Sequence, residues 1–232
     1  MRLRSLFALT SLAVAAPLLA AAAPQPQKAA SQKTATPVTI TPIGGHLLGS
    51  PKARTKIIEY ASYTCPHCAM FEAEGAPVIK ANYVRRGLAS FELRNLIRDP
   101  VDLTAALLAR CGPTSRFFAN HELIMRNQPV WLSAAQTSTP ETRKSWFEGS
   151  YGERMGKIAK DTGLYKLMLS NGYTAAQLNS CLSDEAAQKT VAAMTEDAQK
   201  QGVKGTPSFI LNGKLLDGVY SWQALKPLLP AS

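Results

Sequence analysis

The sequence predicts an α/β fold in which a helical domain is inserted between two parts that contain strands. Three observations carry this prediction. The order strand, loop, helix, strand runs from residue 55 to residue 97. A long stretch with helical spacing of apolar residues follows over about 100–195. The chain then returns to β-type sequence around Asn212-Gly213 and ends in a short helical segment.

The first 23 residues have the three parts of a secretory signal peptide. Arg2 and Arg4 are positive, Leu6–Leu19 is apolar, and Ala20–Ala23 supplies small residues for cleavage. The apolar run is shorter than the roughly 20 residues that a membrane span needs. We therefore expect residues 1–23 to be removed and the remaining chain to reach a bacterial periplasm. Residues 24–43, rich in Pro, Gln, Ala, Ser and Thr, are predicted to form a flexible leader.

Composition favours a folded domain with a basic, solvated surface. Hydrophobic residues make up 46% of the 232-residue chain and charged residues 18%, which argues against global disorder. The formal net charge is +10, and removal of Arg2 and Arg4 leaves +8. The basic residues are scattered rather than clustered with aromatic side chains, so we expect no nucleic-acid partner.

Residues 44–99 form the first predicted part. A β-type run, TKIIEY, covers 55–60, and helical spacing follows the second cysteine, with Pro77 as an expected kink. Phe91, Leu93, Asn95 and Ile97 alternate along the segment 90–97, which predicts a half-buried strand.

Residues 100–195 form the predicted helical domain, and residues 196–232 the second part. Asp99-Pro100 ends the preceding strand region, and further turn signals such as Gly112-Pro113 and Thr139-Pro140 divide the helical block. After it, SFILNGKLLDG predicts a hairpin at Asn212-Gly213, followed by a helix over about 221–229.

Cys65, Pro66, His67 and Cys68 form a CPHC motif between a predicted strand and a predicted helix. This placement puts Cys65 at a helix N-terminus, where free N–H groups and the helix dipole stabilise a thiolate. Pro66 suits the first helical position, because its missing N–H would be unpaired there anyway. His67 adds positive charge or hydrogen-bond donation, and Cys68, one turn further, is expected to be the buried resolving thiol. The motif therefore predicts a redox centre.

Two other interpretations of the motif stay open at this point, half of a zinc site and an inert structural disulfide. Structural zinc usually needs four Cys or His ligands in paired motifs. Cys111 and Cys181 are isolated, and His46 and His121 lack ligand spacing. We therefore expect no metal. In an oxidising compartment an even count of four cysteines is typical of two disulfides.

The segment EYASYTCPHC, with a Gly-Thr-Pro strand far downstream, resembles the DsbA family of periplasmic thiol oxidases from about Gly49 onwards. The resemblance implies a thioredoxin fold with an inserted α-helical domain. It also implies that Thr206-Pro207 is a cis-proline loop that lies against the cysteines and pairs with substrate backbone. Thr206 stands where the best-known oxidases carry valine and isomerase-type relatives carry threonine.

The resemblance further implies that Glu59 is a buried acid near Cys68 that relays its proton. The alternative is a strand-end carboxylate that faces water. Many relatives bridge a cysteine pair in the helical domain, which implies a structural disulfide between Cys111 and Cys181. The alternative is that both thiols are free.

The implied activity is the introduction of disulfides into reduced exported polypeptides without a cofactor. A DsbB-like membrane quinone reductase would then reoxidise the enzyme. Isomerases of this group usually carry an N-terminal dimerisation domain, for which residues 24–50 are too short, and this disfavours an isomerase. We expect the protein to be a monomer. The rival functions are a disulfide isomerase or reductase and a peptide-binding chaperone without chemistry.

Overall fold

The computed structural model describes residues 36–231, so the predicted signal peptide and most of the predicted leader lie outside the described residues. A six-stranded sheet has the order β1-β2-β4-β3-β5-β6. Its strands are β1 Val38–Ile40, β2 His46–Leu48, β3 Thr55–Ala61, β4 Ala89–Asn95, β5 Ser208–Leu211 and β6 Lys214–Leu215. β3 pairs parallel with β4 and antiparallel with β5, so the CPHC motif follows the central strand of the sheet.

Strand β1 corrects the predicted leader of residues 24–43, since its last part belongs to the sheet. Val38 pairs with Leu48 and Ile40 with His46 at the sheet edge. Edge pairing uses backbone hydrogen bonds on one side only, and Ile40 stays 57% exposed. In so short an edge strand, apolar and polar residues need not alternate. The sequence of β1 therefore gives no periodic sign that it forms a strand.

Strand β4 also differs from its prediction, because both of its faces are covered. All its residues except Arg94 are buried, including the polar Ser90, Glu92 and Asn95. The prediction of a half-buried strand is wrong for a physical reason. A buried carboxylate is tolerated there because it has hydrogen-bond partners: Glu92 accepts from Thr41 at 2.8 Å and from Arg94 at 2.8 Å.

Eleven α-helices surround this sheet in the described chain. They are α1 Pro66–Glu74, α2 Ala76–Val78, α3 Pro100–Ala109, α4 Phe117–Arg126, α5 Gln128–Thr137, α6 Pro140–Ser145, α7 Tyr151–Asp161, α8 Leu164–Ser170, α9 Ala175–Leu182, α10 Glu185–Lys200 and α11 Trp222–Leu225. In the described residues, no helix is both long enough and apolar enough to cross a membrane.

The helical irregularity expected at Pro77 begins two residues earlier, at Gly75. Helix α1 ends before Gly75, Pro77 lies in α2, and a π-helical segment, Ile79–Val84, follows. A Cβ on residue 75 would lie 2.7 Å from the Phe71 ring and 2.9 Å from Trp222. Glycine therefore permits the close packing of α1 against the C-terminal segment.

The boundary predicted at residue 195 lies inside helix α10, which continues to Lys200. Asp184 caps this helix by accepting a hydrogen bond from Ala187 N–H, and its buried face carries Val191, Met194 and Ala198. The helical insertion and the second sheet part are thus joined by one continuous helix.

The C-terminal hairpin is confirmed. Asn212 and Gly213 both have positive φ, 51° and 85°, as a two-residue turn between β5 and β6 requires. The predicted helix over 221–229 is shorter in the structure, because α11 passes into a 3₁₀ segment, Lys226–Leu228.

Candidate active site

The loop from β3 to α1 holds the two motif cysteines. Cys65 is the N-cap residue of α1 and has an extended backbone, and Pro66 occupies the first turn, as predicted. Cys65 is 4% exposed and Cys68 is completely buried, and both are free thiols in this structure. The structure is therefore that of the reduced dithiol.

Hydrogen-bond donors converge on Cys65. The pKa of Cys65 is lowered to about 5. The largest cause is a hydrogen bond from the Cys68 thiol, followed by hydrogen bonds from the Thr206 side chain and from the backbone N–H groups of Cys68 and His67. Burial of Cys65 opposes this effect. In its protonated form the Cys65 thiol donates to the Thr206 carbonyl oxygen, with Sγ and O 3.1 Å apart. Of the two contributions predicted for His67, positive charge or hydrogen-bond donation, the one found is hydrogen-bond donation by its backbone N–H.

Cys68 has the opposite electrostatic environment. Burial raises the pKa of the Cys68 thiol well above its ordinary value, and the Cys65 sulfur and the nearby Glu59 carboxyl act in the same direction. One thiol is thus poised to ionise while its neighbour stays protonated. The attacked cysteine must leave readily as a thiolate, whereas the buried resolving cysteine stays protonated in the reduced enzyme, and the two pKa shifts agree with these roles.

We expect titration of the reduced protein to show one thiol with a pKa of about 5 and no ionisation of the other near neutral pH. Ultraviolet thiolate absorbance against pH measures this directly. The Cys65→Ala variant is the control and should remove the low transition altogether. A transition only above about pH 7.5 would contradict the proposed activation of Cys65.

Thr206 and Pro207 lie beside Cys65, at the start of β5. The peptide bond between them is cis. The Thr206 carbonyl contacts Cys65, as described above, and Ser208 Oγ closes the loop by donating to the Gly205 carbonyl at 2.7 Å. Two segments about 140 residues apart in the chain thus form one surface around the cysteine.

Glu59 lies on β3, opposite Leu93 and Phe209 of the adjacent strands. Its side chain is 1% exposed, and its Oε2 atom has no hydrogen-bond partner among the described residues. Burial, and secondly the Glu72 charge, raise the pKa of Glu59 well above its usual range. Burial therefore favours the protonated carboxyl, and the water-facing alternative is excluded because the side chain is buried.

Comparison with known proteins assigns this fold to a family. The sequence profile of a family described as Thioredoxin matches residues 41–231. The chain belongs to the thioredoxin family. The predicted fold class is thereby confirmed, and the helices α3–α9, with most of α10, form an insertion in the thioredoxin fold between β4 and β5.

Solved thioredoxin-fold structures resemble this one over most of its length. A protein-disulfide isomerase from Novosphingobium aromaticivorans is 43% identical, with a TM-score of 0.76 and coverage of 80% of this chain and 95% of that one. Wolbachia pipientis alpha-DsbA1 is 22% identical, with a TM-score of 0.63 and coverage of 82% and 90%, which shows a shared fold.

A protein of Rickettsia bellii assigned by name to the protein-disulfide oxidoreductases is 29% identical over 169 residues. The match covers 72% of this chain but 56% of the relative, so this chain spans little more than half the length of such relatives.

Two side chains of the helical insertion, Gln128 and Asp102, hold the thioredoxin active-site loop together with Asp99, the N-cap residue of α3. None of the three was predicted as a site residue. Gln128 Nε2 donates to the carbonyls of Tyr63 and Cys65 at 2.6 and 2.9 Å. Asp102 accepts hydrogen bonds from Ser62 Oγ at 2.6 Å and from Tyr63 N–H at 2.7 Å. Asp99 accepts one from Thr64 Oγ1 at 2.9 Å. No local pattern connects these residues with the loop, although Asp99-Pro100 is a typical helix start.

The histidines that the sequence analysis weighed as metal ligands are buried structural groups. His121 Nδ1 lies 3.0 Å from the Tyr63 hydroxyl, and its Nε2 lies 3.2 Å from Glu72, which also pairs with Lys80 at 2.6 Å. The His46 ring stacks on Phe117 with centroids 3.5 Å apart. In the part of the chain that the structure describes, no three His, Cys, Asp or Glu side chains come together as a metal-ligand group.

Cys111 and Cys181 are joined in the structure, with their sulfur atoms 2.07 Å apart. Cys111 follows helix α3, and Cys181 lies in α9. The bridge spans 70 residues of the helical insertion.

Proposed function

We propose that this protein is a periplasmic thiol:disulfide oxidoreductase that introduces disulfides into reduced exported polypeptides through Cys65 and Cys68. The observation that carries the proposal is the opposite shift of the two cysteine pKa values, to about 5 for Cys65 and well above normal for Cys68. A low pKa at Cys65 stabilises the reduced enzyme, and an enzyme with a stable reduced form gives its disulfide away readily. The DsbA-like fold supports the same function.

The proposed reaction begins with the oxidised enzyme. A substrate thiolate attacks Cys65 Sγ, the Cys65–Cys68 bond breaks, and Cys68 leaves as a thiolate that takes up a proton. A second substrate thiolate then attacks the sulfur bound to Cys65, and Cys65 leaves as a thiolate. Two electrons pass from the substrate dithiol to the enzyme disulfide, and the substrate gains one disulfide. No cofactor takes part in these steps.

Thr206 and Pro207 are proposed to bind substrate beside the attacked sulfur, because their loop lines the cleft onto which Cys65 opens. Pro66 and His67 shape the first turn of α1 and place its N–H groups at Cys65. Cys111 and Cys181 are proposed to stabilise the helical insertion. A DsbB-like membrane quinone reductase is the proposed oxidant that restores the Cys65–Cys68 disulfide, and the enzyme is proposed to act as a monomer after removal of residues 1–23.

Glu59 is proposed to supply the proton that Cys68 takes up. We expect Glu59→Gln to slow the release of Cys68 by about tenfold or more, because an amide keeps the shape of the side chain but transfers no proton. Stopped-flow formation of the mixed disulfide, followed against pH, measures this rate. Glu74→Gln is the matched control, since Glu74 is exposed and accepts a hydrogen bond only from Gln223 among the described residues. Equal rates for both variants would remove Glu59 from the mechanism.

The experiment that tests the function is a redox titration against glutathione, combined with oxidation of a reduced unfolded protein. We expect a potential near the value of about −120 mV typical of strong thiol oxidases, rather than the value of about −270 mV typical of thioredoxin-type reductants. The Cys65→Ser variant should be inactive. Full activity of this variant would favour the chaperone instead.

A disulfide isomerase is the second candidate, and one observation favours it. The solved structure at 43% identity is titled a protein-disulfide isomerase. An isomerase would rescue a scrambled substrate faster than it oxidises a reduced one, and its potential would lie near about −180 mV. Measurement of both rates on one substrate separates the two functions.

A further inference from the structure

The cleft that opens onto Cys65 carries two free cations. It has a volume of about 440 Å³, and Arg98 and Lys204 border it together with His67 and Thr206. Arg98 follows strand β4 and Lys204 follows helix α10, so two distant segments place positive charge at the same opening. Among the residues that the structure describes, no aspartate or glutamate lines this cleft.

Neither cation is neutralised by a neighbouring carboxylate. Among residues 36–231, no carboxylate lies within 4.0 Å of the charged atoms of Arg98 or Lys204, and both residues are exposed. The nearest acids serve other groups. Asp102 accepts a hydrogen bond from the Arg98 backbone N–H at 3.0 Å. Asp99 accepts hydrogen bonds from the Thr64 hydroxyl and from the Asp102 backbone N–H. The only hydrogen bond of the Arg98 guanidinium within the described chain goes to the Thr64 carbonyl, at 3.4 Å.

A second cleft on the other side of Pro66 provides a contrast within the same molecule. It has a volume of about 550 Å³ and is mainly apolar, and its cation Arg126 lies 3.9 Å from Glu122. Positive charge there is paired, whereas positive charge beside the reacting sulfur is not. Of these two clefts, the one beside the reacting sulfur is therefore the one whose described cations are free to bind an anionic ligand.

We propose that the enzyme acts preferentially on polypeptide cysteines flanked by aspartate or glutamate, whose carboxylates pair with Arg98 and Lys204. This inference rests on the proposed oxidoreductase function and specifies its substrate class. A cleft of one charge sign raises the local concentration of oppositely charged ligands. A carboxylate next to the substrate cysteine would bring its thiolate to Cys65 Sγ. The attack then forms the substrate–Cys65 bond, breaks the Cys65–Cys68 bond and leaves the electron pair on Cys68, which is protonated.

The test uses the full-length oxidised protein and three capped monothiol peptides, Asp-Cys-Asp, Ser-Cys-Ser and Lys-Cys-Lys. Acid quench and mass spectrometry give the rate of mixed-disulfide formation at Cys65. The variant is Arg98→Gln with Lys204→Gln. The matched control, Arg85→Gln with Arg86→Gln, removes the same net charge from exposed residues outside the cleft. Each peptide is compared between variant and wild type, so that the intrinsic reactivity of its thiol cancels.

We expect the cleft variant to lower the ratio of Asp-Cys-Asp to Lys-Cys-Lys rates by about tenfold, and the control variant to leave that ratio near the wild-type value. About 0.5 M salt should reduce the wild-type preference by screening. The charge-retaining variant Arg98→Lys with Lys204→Arg should restore it.

Three results would overturn the inference. The cleft variant could slow all three peptides by one factor, which would mean that the cations only stabilise the Cys65 thiolate. Both variants could lower the ratio equally, which would assign the effect to net charge. The wild type could show no preference for the acidic peptide once thiol reactivity is taken into account. Failure of the wild type to form a mixed disulfide with any of the peptides would instead count against the proposed function itself.

Discussion

Replacement of both Cys111 and Cys181 by alanine is expected to lower the free energy of unfolding by about 4 kcal/mol. The bridge closes 70 residues, and a loop of that length removes about 4 kcal/mol of conformational freedom from the unfolded chain in the chain-entropy view. The cross-link joins the end of helix α3 to helix α9, so without it these two helices are held together by packing alone. Urea unfolding of wild type and double variant measures the difference.

A second comparison separates the cross-link from the lost sulfur atoms. In a Cys65→Ala, Cys68→Ala background, the oxidised and reduced proteins differ only at the Cys111–Cys181 pair and keep the same atoms in the core. Reduction of the Cys111–Cys181 bridge in this background should lower the free energy of unfolding by the same amount. A loss below about 1 kcal/mol would show that the bridge does not stabilise the fold.

Mild reductant should also open the active-site disulfide of the wild type before this bridge, since structural disulfides resist reduction more strongly.

The reduced enzyme is expected to become more stable than the oxidised enzyme as the pH rises. The pKa of Cys65 is about 5 in the folded protein, whereas an unfolded cysteine has a pKa of about 8.5. A depressed pKa adds stability that is complete above the unfolded value and is lost as the pH falls through the folded value. The contribution is close to zero at pH 5 and reaches about 4 kcal/mol at pH 8, or about 3 kcal/mol after allowance for solvent screening of the partly accessible sulfur.

Closure of the active-site disulfide has the opposite effect, because it restrains the unfolded chain by about 2 kcal/mol for so short a loop. We therefore expect the oxidised form to be the more stable at pH 5 and the reduced form to be the more stable at pH 8 by about 1 kcal/mol. Denaturant unfolding of both forms, with Cys111–Cys181 kept closed, measures this crossover. An oxidised form that stays clearly more stable at pH 8 would favour the reductase or isomerase.

Two substitutions of His67 separate the sources of this effect. His67→Pro removes the backbone N–H that stabilises the Cys65 thiolate, while proline is still tolerated in the first turn of a helix. His67→Gly removes the imidazole and keeps the N–H. The proline variant should reduce the dependence on pH, and the glycine variant should reduce it less, because the contribution found for His67 comes from its backbone N–H. Thr206→Val should leave the sign of the difference unchanged.

The redox centre was predictable because its chemistry depends on a short piece of chain. A strand, two cysteines two residues apart and a proline at the first helical position place Cys65 at a helix N-terminus. The cis bond before Pro207 was implied only by the resemblance to a known family. The even cysteine count favoured a second disulfide and the apolar neighbours of Glu59 favoured its burial, but neither pattern excluded the alternatives.

The sequence alone determined which residues carry the reactive sulfurs, and it determined the order of strand, helix and insertion, because these follow from side-chain spacing and turn chemistry along neighbouring residues. Tertiary structure decided which side chains surround Cys65. Gln128 and Asp102 reach the active-site loop from the helical insertion, and Arg98 and Lys204 meet at the cleft although 106 residues separate them. Contacts between distant segments depend on how the whole chain packs, and local spacing carries no information about them.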